Sequence, residues 1–306
     1  MGWTPEQLSD LSDKTVVITG GNSGLGLEAA KILCGKGARV VITSRNEGKG
    51  RDAVSAVSAV APRAKIELVL LDLSDPDSVA TATASIASSC PTIDAVINNA
   101  GVMQTPLIRT KEGFELQIAT NHLGHFRFDR ALFPQVEAAG GRFVAVSSVA
   151  HKFGRIALDD LNSEKSYDPT VAYGQSKLAN LMYAFELQRR LAARGAKATA
   201  IGCHPGYSAT NLQSAGVGME GGSTMFRWLY SVTNAVLAQS ATEGAYPLVL
   251  AAVDPSAKPG AYYGPTGFQQ ARGPVGESFV ADRAKDEEVA RKLWELTESL
   301  VGPFWS

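Results

Sequence analysis

Six short apolar segments, separated by stretches with helical periodicity, constrain the fold of this chain more than any other feature of its sequence. Their apolar residues are continuous and do not alternate with polar ones, which is typical of strands covered on both faces. Strands of this kind form parallel sheets whose connections are right-handed helical crossovers. The chain is therefore predicted to be α/β and doubly wound. The predicted strands are residues 15–19, 39–43, 66–71, 93–97, 142–147 and 197–203.

Residues that begin and end helices occur where this arrangement requires them. Before the third predicted helix, Ser74 and Asp75 offer N-capping side chains, and Pro76 suits the first helical position. Gly35 and Gly37 follow the first predicted helix, and glycine commonly ends a helix. We expect a seven-stranded, mostly parallel sheet with helices on both faces.

The chain is predicted to form one domain. No linker rich in Pro, Gly or Ser divides the first 205 residues, so residues 1–306 are assigned to a single domain. After Pro205, four glycines between positions 216 and 222 precede an apolar and aromatic stretch. We expect segment 211–240 to be a hinge and a short amphipathic helix that close over the substrate as a lid. The alternative is fixed core packing against the last helices.

Composition excludes several classes of protein. Hydrophobic residues make up 45% of the chain and charged residues 19%, which excludes intrinsic disorder and a coiled coil. The 29 Lys and Arg balance 30 Asp and Glu, and no basic cluster is present. Without such a cluster, nucleic acid is not expected as a partner.

The cysteines and the N-terminus bear on the compartment. Cys34, Cys90 and Cys203 are odd in number and widely spaced, so they predict neither a disulfide framework nor a Cys-x-x-Cys metal or redox site. The first ten residues lack the features of a signal peptide, and no stretch has the roughly 18 apolar residues that span a bilayer. We expect a cytoplasmic protein that does not enter membranes.

A glycine-rich segment follows the first predicted strand directly and leads into the first helix. Residues 19–26 read Thr-Gly-Gly-Asn-Ser-Gly-Leu-Gly. Gly20 allows a tight turn, Gly24 lets backbone N–H groups approach a pyrophosphate, and Gly26 lets helix and strand pack closely. The N-terminus of the helix favours the anion. A lone glycine pattern would indicate only a turn, but this context predicts a dinucleotide site.

Five motifs in this order resemble those of the short-chain dehydrogenase/reductase superfamily, and of its retinol dehydrogenase-like members in particular. They span about residues 14–210, two-thirds of the chain. The motifs are the glycine loop with three residues between Gly20 and Gly24, residues 98–101 reading Asn-Asn-Ala-Gly, Ser147 with Ser148, Tyr173 with Lys177, and Pro205 and Gly206 with Thr210. The resemblance implies a single-domain Rossmann fold, an oxidoreductase and, as is common in this family, a homodimer or homotetramer.

The chemistry of Tyr173 and Lys177 makes sense from the residues themselves. On one helix, their i, i+4 spacing places both side chains on the same face. A tyrosine has a pKa of about 10, and a neighbouring ammonium is expected to lower it toward the working pH. Tyr173 can then act as the acid–base residue. The alternative is a solvated helix face.

The resemblance assigns further roles to single residues. It implies that Lys177 holds the nicotinamide ribose, that Ser148 binds the substrate oxygen, and that Asn121 anchors a water in a proton relay. Ser148 is preferred to Ser147 because only one of two successive strand residues can face the substrate, and the second serine acts in retinol dehydrogenase-like members. Cofactor contacts are expected from Gly20, Asn22, Ser23, Gly24, Leu25, Gly26, Ser44, Arg45, Asp72, Leu73, Asn99, Ala100, Gly101, Tyr173, Lys177, Pro205, Gly206 and Thr210.

The end of the second predicted strand indicates which cofactor is used. NAD-binding members of this family carry an acidic residue there, which accepts hydrogen bonds from the ribose hydroxyls. This chain has Ser44 followed by Arg45. An arginine can pair with a 2′-phosphate, and no carboxylate repels it. NADP(H) is favoured over NAD(H), and the alternative is that Arg45 is only a cation at a strand end.

The four histidines do not predict a metal site or a hydrolase. His122 and His125 have no carboxylate at metal-ligand spacing, no zinc motif is present, and a Gly-x-Ser-x-Gly elbow is absent. We expect His151 and His204 to serve packing or backbone hydrogen bonding. No metal is predicted.

The sequence therefore predicts an NADP(H)-dependent enzyme that transfers hydride between nicotinamide and a carbonyl or alcohol of a small hydrophobic substrate. Two alternatives remain at this point. One is a C=C reductase of the same fold, acting on enones. The other is a dinucleotide-sensing binding protein without catalysis, because a fold does not fix a function.

Overall fold

A computed structural model describes residues 2–207 and 240–305 of the chain. Every structural statement below concerns these residues. The contact predicted for Thr210 and the lid predicted at 211–240 lie outside the described residues, apart from Ser240.

One eight-stranded sheet forms the centre of the molecule. Its spatial order is β3-β2-β1-β4-β5-β6-β7-β8; the first seven of these strands are parallel, and β8 runs antiparallel to β7. The doubly wound, mostly parallel α/β fold is thus confirmed. The strands are β1 (Thr15–Ile18), β2 (Arg39–Ser44), β3 (Lys65–Leu70), β4 (Ala95–Asn98), β5 (Arg142–Val146), β6 (Thr199–Cys203), β7 (Tyr262–Pro265) and β8 (Val275–Glu277).

Two strands depart from the sequence-based expectation. The sheet has eight strands instead of seven because the three residues of β8 pair with β7, and Gly276 and Glu277 give this strand no apolar run that marks it. The third strand lies at the edge of the sheet, so Lys65, Glu67 and Leu70 are exposed and it is not covered on both faces.

Seven helices of eight or more residues surround the sheet in the described part of the chain. Helices α1, α2 and α6 cover one face, α3, α4 and α5 cover the other, and α7 packs on α5. They are α1 (Gly24–Gly35), α2 (Glu47–Val60), α3 (Pro76–Ser89), α4 (Gly124–Ala139), α5 (Pro169–Ala193), α6 (Ala241–Val253) and α7 (Glu287–Val301). Asp75 caps α3 and Pro76 occupies its first turn, as predicted. None of the described helices is long and apolar enough to cross a bilayer.

The central strands are buried on both faces, which explains their continuous apolarity. In β1, Val16 and Ile18 belong to the core layer under α1, while Val17 belongs to the layer under α3 and α4. All three side chains are fully buried. The sheet therefore acts as a rigid floor for the loops that leave it.

The loops that follow β1 to β5 meet at the carboxyl edge of the sheet. Because β1 and β4 are neighbours but their following helices lie on opposite faces, a crevice opens between them at this edge. Ligands of open α/β sheets bind at such a switch point.

Candidate active site

A cavity of about 720 Å³ occupies the crevice at the carboxyl edge. It brings together most of the residues predicted to contact a cofactor: Gly20, Asn22, Ser23, Gly24, Leu25, Ser44, Arg45, Leu73, Asn99, Ala100 and Gly101. Other residues that line the cavity could not be identified from the sequence: Thr43, Asn46, Lys49, Asp52, Leu71, Val102 and Thr120. Gly26, Asp72, Pro205, Gly206, Tyr173 and Lys177 do not line this cavity.

The glycine loop leaves no room for side chains where it meets its neighbours. Gly20 has a φ of 65°, in the left-handed region, and a β-carbon there would lie 3.0 Å from Ala100. A β-carbon on Gly26 would lie 2.6 Å from both Nδ2 of Asn99 and the carbonyl oxygen of Gly20. The glycines therefore provide the tight turn and the close packing that their spacing predicts.

The first turn of α1 opens onto the same cavity. Ser23 is the N-cap residue, and its side chain forms no capping hydrogen bond. The backbone N–H groups of this turn, together with the partial positive charge of the helix N-terminus, suit a pyrophosphate. The volume, the glycines and this helix end all fit a dinucleotide.

Asn99 holds the loop after β4 against the glycine loop. Its Nδ2 donates to the carbonyl oxygens of Thr19, at 2.8 Å, and Gly20, at 3.2 Å. Asn98 points the other way, and its Nδ2 donates to Oδ2 of Asp129 at 2.6 Å. Asn99 thus joins the loop after β4 to the glycine loop, and Asn98 joins the end of β4 to α4.

The outer end of the site, formed by Ser44, Arg45, Asn46 and Lys49, is exposed except for Ser44. The buried Ser44 hydroxyl donates to the carbonyl oxygen of Asn46 at 2.8 Å. Neither Arg45 nor Lys49 forms a side-chain hydrogen bond or ion pair with any residue in the described part of the chain. Two cationic side chains therefore face the cavity with their donors available.

Two predicted cofactor residues, Asp72 and Gly206, form hydrogen bonds with neighbouring residues. Oδ1 of Asp72 accepts hydrogen bonds from the N–H and the hydroxyl of Ser74, at 2.9 and 2.6 Å, while Leu73 lines the cavity. Pro205 and Gly206 follow β6 and lie outside the lining, and the N–H of Gly206 donates to Nδ1 of His204 at 3.1 Å.

The inner end of the site is formed by Asn121, Ser148, Tyr173 and Lys177. Tyr173 and Lys177 lie one turn apart on α5, and both are buried. Nζ of Lys177 donates to the carbonyl oxygen of Val146 at 3.2 Å and lies 5.9 Å from the centroid of the Tyr173 ring. The helix thus places the ammonium beside the phenol.

Burial has a larger effect on the two ionisable groups than their mutual proximity. Burial raises the pKa of Tyr173 to about 12, and a hydrogen bond from Ser148 offsets only part of this rise. Burial lowers the pKa of Lys177 to about 8. Proximity to the ammonium alone predicts a lowered Tyr173 pKa. The structure shows the opposite direction, because desolvation of a phenolate outweighs a charge near the face of its ring.

The two serines after β5 have different partners. Ser147 is buried, and its hydroxyl donates to the carbonyl oxygen of Lys177 at 2.7 Å. Ser148 is half-buried and begins the 3₁₀ turn Val149–Lys152, where its hydroxyl accepts a hydrogen bond from the N–H of Ala150 at 3.2 Å. Only the Ser148 hydroxyl also interacts with Tyr173. Ser147 fixes α5, and Ser148 faces the phenol.

Asn121 lies in a π-helical turn, Ala119–Leu123, immediately before α4. Its Oδ1 accepts from the N–H of Val102 at 2.8 Å, and its Nδ2 donates to the Val102 carbonyl and the Ser176 hydroxyl, both at 2.9 Å. A β-carbon on Gly101 would lie 3.0 Å from Oδ1 of Asn121 and 3.5 Å from Nζ of Lys177. Since Gly101 lines the cavity, the inner end adjoins it at this point.

His151 and His204 are buried beside the site and bonded to their surroundings. Nδ1 of His151 lies 2.7 Å from the carbonyl oxygen of Ser148, and Nε2 accepts from the N–H of Ala281 at 3.3 Å. His204 forms hydrogen bonds with Gly206 and Ser278. Neither imidazole is placed as a base for the Ser148 hydroxyl.

Comparisons with known proteins agree with this geometry. The family model for short chain dehydrogenases matches residues 14–219. Human retinol dehydrogenase 14 is 35% identical, over 94% of this chain and 86% of that protein. Short-chain dehydrogenase TIC 32 A of Brassica napus chloroplasts is 34% identical, over 95% of this chain and 90% of that protein. The crystal structure of an uncharacterized protein from Mycobacterium paratuberculosis is 38% identical and superimposes with a TM-score of 0.82, covering 99% of this chain and 98% of that one. The chain belongs to the short-chain dehydrogenase/reductase family of oxidoreductases, is retinol dehydrogenase-like, and has the fold that this family uses for nicotinamide dinucleotides.

Proposed function

We propose that the protein is an NADP(H)-dependent carbonyl reductase, or alcohol dehydrogenase in reverse, for small hydrophobic substrates. The observation that carries this proposal is that the dinucleotide cavity and the inner end of the site meet at Gly101. This residue lines the dinucleotide cavity, and its α-carbon faces both Lys177 and Asn121. A substrate at the inner end would therefore contact the phenol of Tyr173 and the end of the cavity together.

The cavity residues would hold the cofactor in a fixed direction. The first turn of α1 would bind the pyrophosphate, Leu71 and Leu73 offer apolar surface, and Gly101 marks the end nearest the reacting groups. When bound, the nicotinamide would supply or accept the hydride.

We assign the preference for NADP(H) to Arg45 and Lys49. Both side chains lie at the outer end and have no hydrogen-bond or ion-pair partner among residues 2–207 and 240–305, and a 2′-phosphate carries the negative charge they would bind. The Ser44 hydroxyl already donates to Asn46, and no carboxylate stands at the end of β2 to bind ribose hydroxyls and repel phosphate.

The remaining catalytic work belongs to four residues. In the reductive direction Tyr173 gives its phenolic proton to the substrate oxygen, and Ser148 donates a hydrogen bond to the same oxygen. The Lys177 ammonium stabilises the phenolate that this leaves behind. Asn121 orients a water that returns a proton, since its Oδ1 and the Lys177 Nζ face the same space at Gly101.

Two features support a hydrophobic substrate. The ring of Phe153, which packs against Gly174 next to Tyr173, is 55% exposed. The related proteins include human retinol dehydrogenases 11, 12 and 14, and retinol is a hydrophobic alcohol. The class proposed is thus an aldehyde, ketone or alcohol with an apolar body.

The test is NADPH oxidation by the purified protein with a panel of apolar aldehydes, ketones, retinal and enones, followed by identification of each product. We expect alcohols from the carbonyl compounds and an intact C=C bond in the enones. A saturated ketone as the main product would assign the protein to the C=C reductases. NADPH binding without turnover of any substrate would favour a sensing role.

We also propose that the protein acts in the cytoplasm as a homodimer or homotetramer. Three free, buried cysteine thiols support a reducing compartment. Fractionation of cells and light scattering of the purified protein test the two statements separately.

A further inference from the structure

A buried chain of hydrogen bonds, which the proposed function does not use, runs beneath the inner end. Nε2 of His125 lies 2.9 Å from the hydroxyl of Thr19, and Nδ1 lies 3.0 Å from the carbonyl oxygen of Asn121. The Thr19 hydroxyl also accepts from the N–H of Ala100 at 3.0 Å. Thr19, Asn121 and His125 are at most 2% exposed, so solvent cannot replace these bonds.

The direction of each hydrogen bond follows from its partners. A carbonyl oxygen only accepts, so Nδ1 of His125 must carry a proton and donate it to Asn121. In the neutral imidazole Nε2 is then an acceptor. The single proton of the Thr19 hydroxyl goes to Nε2, at 2.9 Å, in preference to the carbonyl oxygen of Ile97, at 3.4 Å. The remaining Thr19 lone pair takes the Ala100 N–H. Burial lowers the pKa of His125 to about 3, which agrees with a neutral ring at every working pH.

These hydrogen bonds join three parts of the site that belong to different elements. Thr19 directly follows β1 and precedes Gly20, Ala100 follows β4 and lines the cavity, and Asn121 lies in the π-turn. Backbone bonds of a π-turn run between residues five apart, as between the Ala119 carbonyl and the Gly124 N–H here. The imidazole adds a side-chain donor to the Asn121 carbonyl of this turn and connects it to the cofactor loop.

We propose that His125 is a positioning residue, which, as the Nδ1–H imidazole, connects the carbonyl of Asn121 to the hydroxyl of Thr19 and so holds the π-turn in register with the cofactor cavity. This inference rests on the proposed function for its kinetic consequence, but its structural content is independent of it. His125 touches neither Tyr173 nor Lys177 through a hydrogen bond and acts through Asn121 and Ala100.

The first experiment compares His125→Phe with His122→Phe. Both histidines are buried, and burial lowers the pKa of both. His122 belongs to the same π-turn, but its Nε2 pairs with the Thr297 hydroxyl of α7 at 3.0 Å, and neither residue lines the cavity. We expect both variants to lose thermal stability. Only His125→Phe should lower kcat, by about tenfold or more, with substrate KM changed less than about twofold, since buried partners are left unpaired.

Further variants at Thr19 and His125, the two residues joined by this hydrogen bond, sharpen the test. Thr19→Val removes the hydroxyl at nearly constant volume and should lower kcat as His125→Phe does, while Thr19→Ser, which keeps the hydroxyl, should restore it. The effects of Thr19→Val and His125→Phe should combine to less than their product, because both break one connection. His125→Asn can donate near the position of Nδ1 and should recover part of the loss.

Two measurements keep the proposal separate from the reductase assignment. The dissociation constants of NADPH and NADH should rise severalfold in His125→Phe and not in His122→Phe. Nitrogen NMR of the wild-type protein should show the Nδ1–H tautomer of His125 unchanged between pH 5 and 9. If the wild-type protein reduces no carbonyl, the proposed function fails while these measurements still decide the role of His125. An Nε2–H tautomer, or kinetics and cofactor binding equal in the two variants, would overturn the positioning role.

Discussion

The two ends of the candidate site differ in how they can bind and select. At the inner end Asn121, Tyr173 and Lys177 are buried. Asn121 and Lys177 are hydrogen-bonded to backbone groups, and Tyr173 is hydrogen-bonded to Ser148. At the outer end Arg45 and Lys49 are exposed and have no side-chain partner in the described residues. Buried groups act through fixed geometry in a low dielectric, whereas exposed charges are weakened by water and salt. Substitutions at the inner end should therefore lower kcat by orders of magnitude. Substitutions at the outer end should lower cofactor affinity by smaller factors that depend on ionic strength.

The largest effect is expected for Tyr173→Phe, which removes only the phenolic hydroxyl. The variant should lose about a thousandfold or more of kcat, within the range of general acid catalysis, and should bind NADPH nearly as the wild type does. Steady-state kinetics and fluorescence titration measure the two quantities.

Tyr246→Phe is the matched control, because Tyr246 lies on α6, on the other face of the sheet. It should retain full activity. Retention of more than a few per cent of wild-type kcat by Tyr173→Phe would show that another group supplies the proton.

Lys177→Ala should damage both chemistry and cofactor binding, with kcat lower by about a hundredfold, because a buried ammonium beside the phenol is lost. The wild-type pH profile should carry the same signature. Burial lowers the pKa of Lys177 to about 8, so the ammonium loses its charge as the pH rises through that value. Reductive kcat should fall above about pH 8. An unchanged NADPH dissociation constant in Lys177→Ala would exclude the ribose contact.

A buried carboxyl beneath the inner end predicts a dependence of stability on pH. Asp129 accepts hydrogen bonds from Asn98 and Tyr183, at 2.6 and 2.7 Å, and burial raises its pKa to about 7. Between about pH 4 and 7 the folded protein holds a proton that the unfolded chain has released, so the free energy of unfolding should fall across this range and stay level above it. Asp129→Asn should remove this dependence on pH and raise the free energy of unfolding by on the order of 2 kcal/mol at pH 8. Denaturant titrations at pH 5 and pH 8 measure it.

The unpaired atoms around this carboxyl explain the expected gain. Oδ1 of Asp129 and Oδ1 of Asn98 are buried without hydrogen-bond partners among the described residues. An asparagine at 129 brings an N–H that can donate to Asn98 and carries no charge to desolvate. Asp282→Asn, at the exposed carboxyl that begins a surface turn, is the control. It should keep the wild-type slope, and a slope unchanged in Asp129→Asn would place the titrating group elsewhere.

The sequence was informative where chemistry requires a fixed spacing. The glycines of the first loop and the pair of Tyr173 and Lys177 are local patterns, so their elements and their approach to one crevice could be predicted. The hydrogen bond between His125 and Thr19 could not, because it joins residues that are 106 positions apart in the sequence. A sequence pattern carries no information on such contacts.

The pKa of Tyr173 was not predictable for a related reason. Proximity to Lys177 follows from the i, i+4 spacing, but the desolvation that raises the pKa depends on how the rest of the chain covers the phenol. Likewise, Lys49 lines the cavity because α2 begins at Glu47 and turns that face toward the crevice. No sequence pattern indicated that this face of α2 meets the cavity.

At the outer end, Arg45→Ala should raise the NADPH dissociation constant by about tenfold and leave that of NADH nearly unchanged, because one charge-assisted contact to the 2′-phosphate is lost. Ser44→Asp should reverse the preference, since a carboxylate at the end of β2 repels phosphate and accepts from ribose hydroxyls. Isothermal titration with both cofactors measures each change. Equal losses for NADPH and NADH in Arg45→Ala would assign Arg45 a structural role.

The smallest effect is expected for Lys49→Ala. The exposed ammonium should contribute about a two- to threefold change in NADPH affinity, because solvent screens a single surface charge. The effect should shrink when NaCl is raised from 20 to 500 mM in the titration, because the Debye length falls from about 21 Å to about 4 Å. Lys65→Ala removes an exposed lysine at the start of β3, at the edge of the sheet opposite to the cavity, and should leave NADPH affinity unchanged. A salt-independent loss in Lys49→Ala, or an equal loss in Lys65→Ala, would show that the outer end does not select the cofactor through local charge.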